Sequence, residues 1–361
     1  MPKKNKILFL PKYPRMGASS RLRTFQYLPL WEAAGFDVTL SSFFNKQYLE
    51  EHYAKRPIDK GNVLACYKRR WKILRNAADY EYIIIEKELF PFIPFGLEKW
   101  AFKQGPQYIF DYDDAVFHNY DLHGNKWIRS LLRDKIDRLM ARADQLWLGN
   151  EYLAARAQEA GAHNIMDLPT VIDLNKYQLG PVKENATVKI GWIGSPTTLK
   201  YLDQLKPVFE GLKKEEAFTL HIIANGQGIG LFDLEKTLYW SEQEEVAMIQ
   251  QLDIGIMPLN DTPWEQGKCA YKLIQYMACG LPVIASPIGM NKEVVRHGVN
   301  GFLASSHEEW TRYLKILLED PYLRQIMGTA GRKLVEEKYT LEHNWQKIQS
   351  YLNINSEVPH L

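Results

Sequence analysis

Short, continuously apolar runs alternate with segments of helical spacing along the first half of the chain. The first run, at 7–10, stops at Pro11, and similar runs lie at 82–85, 107–110 and 145–148. Apolar residues recur at helical spacing over 21–34, before Gly35, and again over about 126–142. Strands that are apolar on both faces and alternate with helices are typical of a parallel sheet covered on both sides. The first half therefore predicts a doubly wound α/β domain.

The pattern loosens between about 165 and 188, where prolines and Gly180 interrupt it, and then starts again. We expect Thr197 or Thr198 to cap the helix after the first new strand, and Ser241 with Glu244 to form a capping box. The predicted fold is α/β with two doubly wound domains, at 1–170 and 171–337. A C-terminal helix at about 338–354 is expected to pack back on the first domain. The predicted elements of the second half are strands at 188–193, 218–224, 254–257 and 282–285, and helices at 308–319, 322–337 and 341–352.

Composition excludes several classes of protein. The chain is 46% hydrophobic and 24% charged, as globular proteins are. Its apolar runs are the length of strands, too short for a signal peptide or a membrane span, so we expect a cytoplasmic protein. The three cysteines form no CxxC pair and the nine histidines no HExxH motif. We therefore expect no disulfide framework, no metal site and no cofactor.

Charge is distributed unevenly along the chain. Residues 1–170 carry 26 Lys and Arg against 20 Asp and Glu, a net charge of +6, whereas the remainder carries 19 against 23, or −4. Cations and aromatic residues interleave at 67–72. Such a segment suits anionic lipid headgroups or an acidic partner, and a solvated helix face explains it equally well. Peripheral contact with the inner face of a membrane is thus a hypothesis, and no nucleic-acid partner is expected.

A loop that runs directly into a helix carries candidate phosphate-binding residues. Gly267 and Lys268 precede the helical segment that ends before Gly280, and Gln275 lies two turns along it. Free amides at a helix start suit a diphosphate, and Lys268 adds a full positive charge. The Gln275 amide is able to bond hydroxyl groups such as those of a ribose. Alone, a Gly-Lys pair before a helix is a weak signal.

At this point the sequence resembles glycosyltransferase family 4. The similar residues are Gln275-Tyr276-Met277-Ala278-Cys279-Gly280-Leu281-Pro282-Val283-Ile284-Ala285-Ser286, then Gly289, Glu293-Val294-Val295 and His297-Gly298-Val299-Asn300-Gly301-Phe302-Leu303. The resemblance implies a GT-B fold, with two Rossmann-like domains facing across a cleft. It also implies a nucleotide-sugar donor, bound as a co-substrate by the second domain.

The resemblance assigns donor-binding roles to residues of three loops, and the sequence departs from the family at three positions. One is Ser195, where the family has the first member of a basic pair whose second member is here Lys200. The family has two glutamates eight residues apart. Here Gly267 stands at the sugar position and Gln275 at the ribose position, with Glu265 near enough to be considered for the sugar role. The expected donor-binding residues are Gly194, Ser195, Lys200, Trp240, Gly267, Lys268 and Gln275. Trp240 is expected to stack on the base, although a buried core Trp is an equal alternative.

Polar clusters follow three predicted strands of the first half and suggest an acceptor site. Gly17, Ser19 and Arg21 follow the first strand, Glu88 the second, and Asp113 with Asp114 the third. Carboxylates bind sugar hydroxyls and can accept a proton, so we expect Asp113 or Asp114 to be catalytic, with Glu88 behind them. The alternative is that these acids cap loops or pair with Arg21 and Arg23. Asp111 and Asp113 also resemble a metal-binding DxD motif, but that motif belongs to a single-domain architecture.

The function expected from the resemblance is retaining glycosyl transfer to a glycan or lipid-linked acceptor, in the synthesis of cell-surface polysaccharide or glycoconjugate. Front-face displacement, in which the leaving diphosphate helps to take the acceptor proton, needs neither a covalent nucleophile nor a metal. Two alternatives stay open: a GT-B nucleotide-sugar 2-epimerase, and a catalytically degenerate partner protein that binds nucleotide sugars. A dinucleotide oxidoreductase is disfavoured because no GxGxxG follows the first strand.

Overall fold

The computed structural model describes residues 5–180, 187–226, 228–231 and 233–354. The chain divides into two compact units, one formed by Met1–Thr170 with Asn344–Leu361, the other by Val171–His343. Each unit contains a six-stranded parallel sheet with helices around it. The predicted α/β class with two doubly wound sheets is confirmed.

The first sheet has the strand order β2-β1-β3-β4-β5-β6. Its strands are β1 (Lys6–Leu10), β2 (Asp37–Leu40), β3 (Tyr82–Glu86), β4 (Gln107–Tyr112), β5 (Gln145–Leu148) and β6 (Ile165–Asp167). Its helices are α1 (Ala18–Ser20), α2 (Leu28–Ala33), α3 (Lys46–Tyr53), α4 (Lys60–Leu74), α5 (Phe95–Glu98), α6 (His118–Asp121), α7 (Lys126–Leu132), α8 (Lys135–Arg142) and α9 (Glu151–Glu159).

The single helix predicted over 21–34 is wrong in detail. A π-helical turn over Arg21–Phe25 precedes α2, whose second residue is Pro29. Proline has no amide hydrogen to donate, so it fits the first turn of a helix and not the interior. Gly35 does end α2, with φ of +83°.

The second sheet has the order β12-β11-β10-β7-β8-β9. Its strands are β7 (Val188–Ile193), β8 (Phe218–Ile223), β9 (Glu235–Leu238), β10 (Ile254–Met257), β11 (Val283–Ala285) and β12 (Gly301–Leu303). Its helices are α10 (Lys200–Asp203), α11 (Lys206–Leu212), α12 (Glu245–Gln250), α13 (Pro263–Gln266), α14 (Tyr271–Ala278), α15 (Asn291–Val294), α16 (His307–Glu319) and α17 (Pro321–Lys338). Within the described ranges, no helix combines the length and apolar character needed to cross a bilayer.

The last helix, α18 (Leu341–Leu352), contributes its later turns to the first unit. The Asn344 amide donates to the Tyr27 hydroxyl at 3.0 Å and to the Pro169 carbonyl at 2.8 Å. The Trp345 ring packs edge-on against Trp31, with 5.0 Å between their centroids. These contacts bury α18 against helix α2 and the end of the first sheet.

Two predictions about the start of the second half need correction or restriction, and one about a later helix start agrees with the structure. The loosened region at 165–188 contains a strand, because β6 pairs with β5, while residues 181–186 lie outside the described ranges. Neither threonine caps the helix after β7: a 3₁₀ turn over Pro196–Thr198 comes first, without a side-chain cap. Ser241 does accept a hydrogen bond from the Glu244 amide at 3.2 Å, just before α12.

Part of the sequence pattern that resembles a donor site is used for packing. A methyl group at Gly301 would lie 2.3 Å from the carbonyl oxygen of Val283 on the neighbouring strand. The Asn300 side chain donates to the Val294 carbonyl and accepts from the Arg296 amide, which fixes the turn before β12. The Gly301 and Asn300 positions therefore hold strand β12 against β11.

Gly301→Ala is expected to lower the free energy of unfolding by about 2 kcal/mol or more, because rigid backbone cannot move away from the new methyl group. The matched control is Gly211→Ala, at a helical glycine with no atom within 4 Å of the added methyl. It is expected to stabilise the protein by about 0.4–1 kcal/mol. Thermal melting of both variants measures the difference, and equal melting temperatures would contradict the packing role.

Candidate functional site

The second sheet has a topological switch point between β7 and β10. These strands are neighbours, and the chain leaves β7 towards β8 and β9 but leaves β10 towards β11 and β12. In open α/β sheets, ligands bind beyond the carboxyl ends of the strands at such a point. The loops that follow β7 and β10 contain six of the seven predicted donor-binding residues or lead into the helices that carry them.

Lys272, which the sequence analysis did not single out, is a cation of this switch point. It lies in the first turn of α14, is half-buried, and places Nζ 4.3 Å from the centroid of the Trp192 ring in β7. The Trp192 ring itself is fully buried. Lys272 makes no hydrogen bond or ion pair with any residue in the part of the chain that the structure describes.

The environment of Lys272 disfavours its positive charge. Burial, with a smaller contribution from Lys268 one helical turn earlier, lowers the pKa of Lys272 from 10.5 to about 7. A cation held without an acidic partner against an aromatic face is suited to receive an anion. The sequence shows two lysines four residues apart, Lys268 and Lys272. It does not show that Lys272 contacts Trp192, which lies on a distant strand.

The backbone at the start of α14 is strained. Ala270, the residue before the helix, is completely buried and has φ of +48°, in the left-handed region that disfavours side chains. Such strain persists only where surrounding structure imposes it, and it is concentrated at ligand-binding sites. The first turn of α14 follows directly on this strained residue. Gly267 is buried in the same loop, and Lys268 is half-buried.

The loop after β7 is packed closely. A methyl group at Gly194 would lie 2.4 Å from the Trp192 ring, so only glycine fits between strand and loop. The Ser195 hydroxyl lies 2.9 Å from that of Thr197, within the 3₁₀ turn. Lys200 is exposed at the start of α10, with Nζ 5.0 Å from the Tyr201 ring centroid.

Glu265 is not available for the sugar role considered for it. Its carboxylate is buried and accepts hydrogen bonds from the hydroxyls of Tyr201 and Thr262. Because Tyr201 lies in α10 and Glu265 in α13, these bonds join the loops that follow β7 and β10. Glu265 therefore fixes the two loops relative to each other and does not itself face a ligand.

Gln275 and Trp240 belong to one buried hydrogen-bond network. The Gln275 amide nitrogen donates to the Tyr177 hydroxyl at 2.7 Å, and that hydroxyl donates to Glu245 at 2.5 Å. The other Glu245 oxygen accepts from the Trp240 indole nitrogen at 2.7 Å. The network fixes the Trp240 edge and leaves the Gln275 carbonyl oxygen without a partner among the described residues. Tyr177 and Glu245 were missed by the sequence analysis.

A tight turn at the carboxyl end of β3 organises the polar cluster of the first unit. The Glu88 amide donates to the Glu86 carbonyl at 2.9 Å around Lys87, whose φ is +69°. This is a γ-turn of the rare, strained form. Buried Lys87 points Nζ at Asp113 (3.1 Å) and Asp114 (3.4 Å) of the neighbouring strand end. These carboxylates outweigh the effect of burial and raise the pKa of Lys87 well above its usual value.

Asp113 and Asp114 both lie near Lys87, but they differ in their other contacts and in exposure. The Ser19 hydroxyl is 2.6 Å from Asp113 and 2.8 Å from Glu86, and its single hydrogen can be donated to only one of them. Burial would raise the pKa of Asp113, but Lys87 and Arg23 hold it below its usual value. A carboxylate with a lowered pKa is a poor proton acceptor. The side chain of Asp114 is 29% exposed, against 11% for Asp113.

Glu88 points away from this pair of aspartates. Its carboxylate is buried, 2.7 Å from Lys135 Nζ and 2.6 Å from the Tyr120 hydroxyl. Although burial opposes ionisation, Lys135 and Lys12 lower the pKa of Glu88. A catalytic position for Glu88 is not supported by this location, because its carboxylate is enclosed by protein groups.

Asp111 is paired with Arg23, as predicted by the alternative in which the acids of these clusters bind Arg21 and Arg23. Arg23 Nε lies 3.0 Å from both Asp111 oxygens, and Arg23 Nη1 donates to the Leu168 carbonyl at 2.7 Å. This pairing commits both oxygens of the Asp111 carboxylate to the guanidinium. Gly17 and Arg21 are buried, and a methyl group at Gly17 would lie 2.5 Å from Tyr13.

Comparison with known proteins agrees with this arrangement. Residues 187–334 match the family model described as glycosyl transferases group 1. The chain is 26% identical, over 182 residues, to an uncharacterized glycosyltransferase from Methanocaldococcus jannaschii. That alignment covers 46% of this chain and 44% of the relative, so the chain matches less than half of the relative's length. The predicted resemblance to glycosyltransferases is confirmed, and the residues that match the family model lie within the second unit.

Two solved structures resemble nearly the whole chain. Sucrose-phosphate synthase from Thermosynechococcus elongatus has a TM-score of 0.72 at 14% identity, with coverage of 97% of this chain and 98% of that one. HepE from Anabaena, in complex with UDP and glucose, has a TM-score of 0.71 at 17% identity, with coverage of 96% and 99%. At these identities the likeness shows the fold, and the predicted GT-B fold is confirmed.

Lys272→Met is expected to stabilise the protein in a pH-dependent way, since it keeps the aliphatic contact with Trp192 and removes the charge. The lowered pKa means that the unfolded chain binds more protons than the folded one between about pH 7 and 10.5, so wild-type stability rises across this interval. The gain from Lys272→Met is therefore largest below pH 7, at about 1–2 kcal/mol, and vanishes towards pH 10.

Urea unfolding at pH 6, 8 and 10 measures this dependence. Lys200→Met is the control, because Lys200 is exposed on the neighbouring loop and its replacement is expected to change stability by less than about 0.5 kcal/mol. A destabilising Lys272→Met, or a gain independent of pH, would contradict the assignment of an uncompensated charge.

Proposed function

We propose that the protein is a glycosyltransferase that moves a sugar from a nucleoside-diphosphate sugar to a glycan or lipid-linked acceptor. The observation that carries the proposal is Lys272, a half-buried cation that lies at the switch point of a sheet and has no acidic partner among the described residues. The match of residues 187–334 to group 1 glycosyltransferases and the UDP held by HepE support a nucleotide-sugar donor.

The donor diphosphate is proposed to lie at the start of α14. Lys272 and Lys268 supply positive charge there, and the amides of the first turn of the helix supply hydrogen-bond donors. Both stabilise the charge that grows on the leaving diphosphate as the sugar departs. We propose that these protein groups serve in place of a metal ion, so that activity survives treatment with a chelator.

The nucleoside is proposed to bind along the network of Gln275, Tyr177, Glu245 and Trp240. The Gln275 nitrogen is committed to Tyr177, so a ribose hydroxyl would donate to the Gln275 carbonyl oxygen. The Trp240 indole is fixed at its nitrogen by Glu245 and offers its ring for stacking on the base.

The acceptor is proposed to bind at the carboxyl end of β1, β3 and β4 in the first unit, with Asp114 as the group that orients or deprotonates its hydroxyl. Asp114 is the more exposed aspartate, while Asp113 is held in the ionised form by Lys87. Retention of anomeric configuration and a role in cell-surface polysaccharide or glycoconjugate synthesis complete the proposal, on the strength of the family resemblance.

Donor binding is expected to depend on Lys272 and on pH. Lys272→Met should weaken the binding of a nucleotide sugar by about 10- to 100-fold, the contribution of a charged hydrogen bond. In the wild type, affinity should fall by up to about tenfold per unit from pH 7 to 8.5, because binding then requires proton uptake by Lys272. In Lys272→Met the affinity should be independent of pH.

Calorimetry with UDP-glucose, GDP-mannose and dTDP-glucose at pH 6.5, 7.5 and 8.5 measures both effects. Nucleotide sugars are used because they lack a phosphomonoester that titrates near pH 6. Lys200→Met tests whether any loss of a nearby cation has the same effect. Pure binding without turnover would support the degenerate partner, and donor conversion without acceptor would support the epimerase. Undiminished affinity in Lys272→Met would refute the diphosphate position.

Asp114→Asn should reduce sugar transfer by about 100-fold or more without changing the dissociation constant of the donor, if Asp114 assists the acceptor hydroxyl. Transfer from the identified donor is assayed by nucleoside diphosphate release, with a crude glycolipid and polysaccharide extract as acceptor. Asp134→Asn, at an exposed aspartate of the same unit, serves as the control. Equal rates in the two variants would exclude Asp114 from catalysis.

A further inference from the structure

Helix α4 presents a narrow stripe of cations and apolar residues. Leu64, Lys68, Trp71 and Arg75 follow one another at intervals of four, three and four residues, which places them on one face of a helix. Leu64 and Trp71 are 55% and 50% exposed, and Lys68 and Arg75 are exposed with them. From 60 to 75 the chain contains no Asp or Glu.

A second segment widens this stripe. The Trp71 ring packs on that of Trp100, with 3.7 Å between centroids, and Lys103 Nζ lies 5.5 Å from the Trp100 centroid. Leu97, one turn before Trp100, is 63% exposed. The nearest acid in this segment, Glu98, is completely buried and binds the Phe90 amide. We call the group formed by Leu64, Lys68, Trp71, Arg75, Trp100 and Lys103 the basic aromatic surface.

The structure also corrects which cations of the basic run are available. Arg70 is buried and donates to the carbonyls of Leu89, Pro11 and Ser41, at 3.1–3.3 Å. Arg69 reaches the Phe43 carbonyl at 2.6 Å. These two arginines hold α4 on the domain, whereas Lys68 and Arg75 extend into solvent.

We propose that the basic aromatic surface docks on anionic lipid headgroups. Two packed indoles, each with an apolar body and a polar edge, suit the boundary between headgroups and acyl chains. Flanking lysines and arginines attract anionic lipid. An open helix face that combines exposed Leu and Trp with cations, and bears no acid, is complementary to such a surface in both polarity and charge. The inference goes beyond the proposed function, because the donor chemistry needs no membrane.

Cosedimentation of the full chain with phosphatidylcholine vesicles, with and without phosphatidylglycerol, tests the proposal. Binding is expected only to vesicles that contain phosphatidylglycerol, and it should weaken as salt is raised. The double variant Lys68→Glu with Arg75→Glu should lower the vesicle partition coefficient at least about tenfold, and Trp71→Ser should lower it severalfold without changing its salt dependence.

Matched controls lie elsewhere on the chain. Trp127→Ser changes a Trp that is 84% exposed on α7, and Lys333→Glu with Lys338→Glu reverses two exposed charges of α17. Both controls should bind vesicles as the wild type does. Nucleotide-sugar affinity, measured on every variant, should be unchanged, so a failure of membrane docking is separable from a failure of the proposed transfer function.

Three results would overturn the proposal: equal binding to neutral and anionic vesicles, no binding to either, or equal losses in the surface variants and the controls. Tight binding to polyglutamate or to a single-stranded oligonucleotide without binding to vesicles would assign the surface to an acidic protein or a nucleic acid instead. Circular dichroism and melting temperatures confirm that each variant is folded before its partition coefficient is compared.

Discussion

The charge of Lys272 against the buried ring of Trp192 is the interaction on which the proposed donor site depends. An ammonium group beside an aromatic face gains some electrostatic stabilisation, but much less than water or a carboxylate would provide. The fold tolerates the difference because Glu265 joins the two loops above the sheet and the turn at Ala270 fixes where α14 begins. The proposed role of Lys272 in binding the donor diphosphate, rather than a contribution to stability, accounts for a charge in this position.

In the first unit, by contrast, the buried charges are paired with charges of opposite sign. Lys87 lies between two aspartates, Lys135 neutralises Glu88, and Arg23 neutralises Asp111. Positive groups are thus distributed among the acids at the strand ends, and only Asp114 retains substantial contact with solvent. The uncompensated cation of the second unit fits an anionic ligand. The paired acids of the first unit fit a neutral ligand that bears hydroxyl groups.

The sequence predicted most strands because they contain apolar runs, as in β1, β3 and β11. It also predicted α14, although the helix begins at Tyr271 and Gln275 therefore lies about one turn along it, not two. The roles of Lys268 and Gln275 stay predictions. The sequence analysis failed where the decisive partner is distant along the chain. Gln275 bonds Tyr177, 98 residues away, and the burial of Lys272 depends on a strand far upstream. In the sequence, Glu88 and Asp113 each follow a predicted strand within a run of polar residues. In the structure, Glu88 follows the γ-turn at Lys87 and bonds Lys135 and Tyr120, whereas Asp113 lies beside Lys87 and Ser19.

Buried Arg70 has a consequence for how an acceptor would be delivered. Its guanidinium binds backbone carbonyls directly after β1, β2 and β3, the strand ends beside which the acidic cluster lies. Helix α4 is therefore fastened to the same rigid edge that positions Asp113 and Asp114. If α4 rests on a bilayer, this attachment fixes the height of those carboxylates above the lipid. The length of the polar headgroup between acyl chain and reacting hydroxyl would then decide which lipid-linked acceptors can be reached.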